Sequence, residues 1–163
     1  MIPLGVLPSS NGDINGIVRK TGEIPIVSST ELNAGSSPIK AAFDNSDAYS
    51  ICTIKQENSY MEFSFPKRYI MLSNYTITVN SRWSEDSNFP VKWKVEGRTK
   101  KGKVLVSNVE NSQLKQLKAR TFPSLTYSPL KSIRITLLGQ SHGNAYHFCI
   151  HKLDFFGDRK SVV

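Results

Sequence analysis

Apolar and polar residues alternate with a period of two through much of this chain. Ile133, Ile135 and Leu137 fall on one side of an extended run, and Ser132, Arg134 and Thr136 on the other. Residues 60–65 repeat the pattern, with Met61, Phe63 and Phe65 on one face. In residues 91–98, Val91, Trp93 and Val95 oppose Lys92, Lys94 and Glu96. β-rich runs also cover residues 23–29, 50–53, 70–79, 103–108, 119–122 and 146–156. Residues 40–43 form a short apolar piece. A polar, glycine-marked loop separates the last two strands, and the final run is expected to stop at Gly157. Helical periodicity is nearly absent; residues 109–118 have room for one helical turn. Short strands at this density predict an all-β protein, a jelly-roll β-sandwich with half-buried antiparallel faces. The loops at its ends are then free to bind something.

At 163 residues the chain is one domain. A domain of this size buries roughly 70% of its unfolded surface, so a core forms without metal or disulfides. The N-terminal residues are rich in Pro, Gly, Ser and Asn and read as an irregular arm. No apolar run is long enough to span a bilayer. The first residues have no basic stretch, and prolines interrupt their apolar run, so no secretory leader is expected. Cys52 and Cys149 stand among apolar neighbours and are expected to be buried thiols of a reducing compartment. The sequon at Asn74 abuts a predicted strand and reads as chance. These features predict an intracellular protein, cytoplasmic or cytoskeletal.

Charge changes the picture more than composition does. The net charge is +8. Residues 1–90 hold 7 Lys and Arg against 9 Asp and Glu, a balance of −2, whereas residues 91–163 hold 14 against 4, a balance of +10. Lys92, Lys94, Arg98, Lys100, Lys101 and Lys103 gather on one predicted hairpin as a basic patch suited to an acidic protein surface. Aromatic residues are not interleaved with them, which argues against nucleic acid. A solvated face serving only solubility is the competing reading.

Catalytic chemistry finds no footing. Residues 97–104 nearly spell a phosphate-binding loop, but Val104 replaces its hydroxyl residue and the segment joins two strands. There is no nucleophile elbow. Glu85 and Asp86 lie in a loop with no sign of burial to raise a pKa. His147, Cys149 and His151 alternate, with His142 as a conceivable fourth ligand, yet ligands packed along one strand rarely close a tetrahedron. No metal, no cofactor and no enzyme activity are expected.

The order of the elements resembles the coagulation-factor type C, or discoidin-like, domain of the galactose-binding-like superfamily. The resemblance is closest to its divergent intracellular branch, seen in protist and BTB-associated proteins. It rests on Ile14 to Ile17, Val27 to Thr30, Ser37-Pro38, Ala42 to Asp44, Tyr60 to Tyr69, Tyr75 to Ile77, Pro90 to Gly97 and Leu153 to Gly157. It implies an arm over residues 1–13, a sandwich over 14–158 and a tail over 159–163. Trp93 is then an inward core residue. Gly97 supplies freedom for a bend, and Phe155 and Phe156 fill the core and its rim. Sugar-binding relatives hold a structural calcium near the position of Asp44 and Asn45. Asp47 stands nearby, but Lys152 occupies the place of their glutamate, and a lysine repels calcium.

In similar domains the loops at one end carry the ligand contacts, which draws attention to residues 80–90. Arg82, Trp83, Glu85, Asp86 and Phe89 are the candidate contacts. Trp83 either stacks on a sugar or anchors a partner, or it folds back with Phe89 to cap the end of the sandwich. Residues 31–37 and 44–58 should line the same end. The expected function is a non-enzymatic protein-binding or scaffolding module of a cytoskeletal or ciliary assembly. A carbohydrate-binding module centred on Trp83, with a glycan as partner, is the alternative.

Overall fold

The computed structural model describes residues 16–18, 25–43, 50–79 and 89–161. The strands are β1 (Ile26–Ser29), β2 (Ile51–Cys52), β3 (Tyr60–Ser64), β4 (Arg68–Thr78), β5 (Trp93–Thr99), β6 (Gly102–Val109), β7 (Ala119–Pro123), β8 (Pro129–Leu130), β9 (Ser132–Leu137), β10 (Cys149–Ile150) and β11 (Lys152–Ser161). A 3₁₀ turn, Ile39–Phe43, and a one-turn helix, Leu114–Leu117, complete the described elements. Strand density and alternation thus give the antiparallel β-sandwich that the sequence predicts.

One sheet has the order β1-β3-β9-β5-β6, and the other β11-β4-β7 with β8 against β4. The alternation has direct consequences. In β3, Met61 and Phe63 are buried while Tyr60, Glu62 and Ser64 are half-buried. Ile133, Ile135 and Leu137 are fully buried, and Arg134 and Thr136 face outward. On that outer face Arg134 bonds Glu62 at 3.0 Å and lies 4.0 Å over the Tyr60 ring.

Aromatic side chains fill the space between the sheets. Phe63 and Phe155 meet edge to face at 5.4 Å, with Phe43 and Phe65 beside them. Across β4 from Phe155, in the same row of the sheet, Phe122 stacks on Tyr75 at 5.3 Å and meets Trp93 edge-on at 5.1 Å. The indole of Trp93 donates to the Tyr75 hydroxyl at 2.9 Å, which donates to Ser107 Oγ at 2.8 Å. That chain of polar atoms crosses from one sheet to the other and gives the buried indole N–H and phenol O–H an acceptor each.

Three expectations need correction. Cys52 and Cys149 are not free thiols; they are disulfide-bonded, because β2 and β10 pair in a register that sets them opposite each other, Cα atoms 4.2 Å apart. Gly97 does not relieve a bend. It lies inside β5, where a Cβ would stand 2.6 Å from Leu130 Cδ2 and 3.1 Å from Val106 Cγ2, so packing requires a bare backbone. The last β-run is broken at His151 and does not stop at Gly157. Gly157 sits at φ 148° where the register shifts, and β11 continues to Ser161 against Arg68 at the start of β4, past the expected end of the sandwich at 158.

Candidate functional site: the loop end of the sandwich

β4 ends at Thr78, β6 at Val109 and β9 at Leu137, while β3 starts at Tyr60, β5 at Trp93, β7 at Ala119 and β11 at Lys152. In antiparallel register these seven positions lie at one end. Residues 30–38, 53–59, 110–118 and 138–148 close this end, and the expected binding segment joins β4 to β5 here. Arg82, Trp83, Glu85 and Asp86 fall outside the described residues, as do Asp44, Asn45 and Asp47.

The two anchors of that segment are fixed. The Val79 amide donates to the Lys118 carbonyl at 2.8 Å, and the His142 amide donates to the Phe89 carbonyl at 2.8 Å. Phe89 is buried, with the Lys118 ammonium 4.4 Å from its ring centre and the His142 ring 6.3 Å away. It caps the core and offers no ligand-facing surface, a correction to its expected contact role with a simple cause: an apolar ring beside open core ends gains more from burial than from water. Ser112 locks the next residues, its hydroxyl donating to the Pro90 carbonyl at 2.5 Å and its amide to the Val91 carbonyl at 2.9 Å. Arg120 ties down the 110–118 loop through the carbonyls of Asn111 and Ser112 and the Gln113 side chain.

Lys118 and His142 are therefore neighbours of the segment that sequence reasoning did not assign. The signal available was positional only: both sit in polar loops that precede or follow a strand ending here. Lys152, at the place of the relatives' calcium-binding glutamate, opens β11 opposite Thr78 and is half-buried.

The basic hairpin divides in two. Lys92 pairs with Glu110 at 3.3 Å at the loop end, and Lys94 with Glu96 at 3.4 Å on the outer face. Arg98, Lys100, Lys101 and Lys103 lie at the opposite end around the β5–β6 turn and are exposed. Lys131 joins them through its amide bond to the Arg98 carbonyl, and the ammonium groups of Lys100 and Lys131 lie 5.6 and 5.8 Å from the Tyr69 ring. Among the described residues none of these five forms an ion pair with a carboxylate.

A second cluster lies on the β2–β10 ladder. Cys52, His147 and Cys149 bring their ligand-type atoms within 4.8 Å of one another. The set that the sequence argued against was a different one, His147, Cys149 and His151 with His142. His151 sits at the break between β10 and β11 and His142 beside Phe89, so Cys52, 97 residues from Cys149, completes the cluster in their place.

No protein-family model matches the chain, and no curated protein matches it in sequence. Solved structures do match it, and they show its fold: a jelly-roll β-sandwich like that of family 32 carbohydrate-binding modules. A family 32 carbohydrate-binding module from C. perfringens NanJ, in complex with galactose, superposes with a TM-score of 0.66 at 18% identity, over 87% of this chain and 98% of that one. A module of the same kind from a family 31 glycoside hydrolase of Clostridium perfringens gives 0.67 at 11% identity, over 84% and 92%. The module of AlyQ, in complex with 4,5-unsaturated mannuronic acid, gives 0.61 at 16% identity, over 82% and 95%.

Proposed function

We propose that the chain is a non-enzymatic carbohydrate-binding module, and that the segment carrying Arg82, Trp83, Glu85 and Asp86 makes the contact. One observation carries the reading. The sandwich has the architecture of modules whose structures hold galactose or a uronic acid, and its loop end is rigidly built on both sides of that segment, by Val79 on Lys118 and Phe89 beneath His142. An indole flanked by one cation and two carboxylates combines a stacking face with hydrogen-bonding groups for sugar hydroxyls. The protein-scaffold and cytoskeletal reading draws no comparable support. The disulfide also withdraws the thiol argument for a reducing compartment.

The chain has two tryptophans, and Trp93 is buried in the core. Sugar-dependent change in indole emission therefore reports on Trp83. Titration with galactose and with a uronic acid should give saturable quenching or a blue shift, and Trp83→Ala should abolish it while leaving the thermal melt unchanged. A flat response to both sugars, together with an empty glycan array, would end this reading.

A further inference from the structure

We propose that Cys52, Cys149 and His147 form a zinc-class metal site that is closed by the disulfide and opened by its reduction. The strands that carry the two sulfurs are held together by backbone bonds that do not depend on the sulfur bridge. Ile150 pairs with Ile51 in the same ladder. The Thr53 amide donates to the Phe148 carbonyl at 3.0 Å, the Phe148 amide to Thr53 Oγ1 at 3.2 Å, and the Gln56 amide to the Tyr146 carbonyl at 2.9 Å. Ser141 donates its hydroxyl to the His147 carbonyl, which pins the chain where the imidazole branches. Reduction therefore leaves both sulfurs and the imidazole in place.

The donor set suits the ion. Two thiolates and one imidazole are ligands that zinc takes readily, with separations of about 3.5–4 Å between donor atoms in a tetrahedron. The present spread of 4.8 Å or less closes to that by side-chain rotation once the sulfurs part. The imidazole is also hydrogen-bonded to the Thr53 backbone, the kind of outer contact that orients a ligating histidine. Cys149 and His147 are buried and Cys52 is half-buried. The fourth corner accordingly faces the Cys52 side, where the Ser50 hydroxyl lies 3.8 Å from the sulfur and solvent has access. The Lys55 ammonium acts on His147 from nearby and opposes a cation; two thiolate charges outweigh it.

The chemistry balances with a thiol reductant. Two reductant thiols pass two electrons to the Cys52–Cys149 bridge and leave as their own disulfide, and the protein gains two thiols. Zinc then displaces one proton from each thiol. The same three side chains thus hold either a covalent bridge or a metal ion.

Cobalt(II) is the probe. The full chain, reduced with a phosphine and then freed of it, should take one cobalt per chain. Thiolate-to-cobalt charge-transfer absorption and intense tetrahedral visible bands should appear, and one equivalent of zinc should bleach them. Oxidised protein should take none. Cys149→Ser and His147→Gln should each weaken cobalt binding at least tenfold, whereas His142→Ala should leave it unchanged. Circular dichroism on the same samples confirms that each variant is folded. Because a cysteine variant can fail to fold, the reduced and oxidised wild-type chains provide an independent comparison. Absence of the bands in folded, reduced protein, their presence in oxidised protein, or their loss in His142→Ala would each overturn the site.

Discussion

Tyr75 carries the most consequential single hydroxyl in the core. It accepts from Trp93 and donates to Ser107 while lying between the sheets. Burial holds its proton so firmly that its pKa rises from 10.0 to about 12, against the smaller pull of its two hydrogen bonds. The folded chain then keeps a proton that the unfolded chain releases above pH 10. Stability from this residue is complete below pH 10 and falls as pH rises towards 12. The full loss is about 3 kcal/mol. Urea unfolding between pH 9 and 12, alkaline values chosen around these two pKa values, should show that decline in the native chain and a flatter profile in Tyr75→Phe. At neutral pH the same variant should lose about 1–3 kcal/mol, because the buried indole N–H of Trp93 is left without an acceptor. A Tyr75→Phe chain as stable as wild type would mean the triad contributes nothing.

At the scale of elements, contacts between strands decide what the sequence could not. Gly97 in β5 lies under Leu130 of the two-residue strand β8. Gly97→Ala should cost about 1–3 kcal/mol by overpacking. Adding Leu130→Ala should recover part of that loss, so that the double variant is less damaged than the sum of the singles; simple additivity would show that Leu130 is not the obstacle. The bridge between β2 and β10 spans 97 residues, and breaking it should cost about 2–4 kcal/mol, read as a lower melting temperature after reduction. Long alternating strands were legible beforehand because a period of two records which face meets the core, as in β3, β5 and β9. The short ladders were not. β8 has too few residues to show a period, and the Cys52–Cys149 pairing depends on a register between distant segments that no local pattern encodes. Phe89 was legible as important but left open between a ligand contact and a cap on the core, since an aromatic ring in a polar loop looks the same whichever way it faces; its burial decides for the cap.

For the whole molecule, antiparallel order places the two candidate recognition features at opposite poles. The segment between Val79 and Phe89 belongs to the end where β4 finishes and β5 begins. The turn bearing Lys100 and Lys101 belongs to the end where β5 finishes and β6 begins. On the sequence alone these features lie about ten residues apart with nothing to say how they sit in space; the length of β5 divides them. Charge at the far pole is screened over about 10 Å at moderate salt and has no direct contact with a ligand held at the loop end. Binding of a neutral galactose-type sugar should therefore change little between low and high salt, and the triple variant Lys100→Glu, Lys101→Glu and Lys103→Glu should bind it as wild type does. Binding to a heparin column, which reads the basic pole, should fall sharply with salt and be lost in the same triple variant. If charge reversal instead removed neutral-sugar binding while the fold persisted by circular dichroism, the ligand would have to sit across the hairpin, and the loop-end site would be wrong. If Trp83→Ala abolished sugar binding and left heparin retention intact, the two poles would act independently, as the strand order requires.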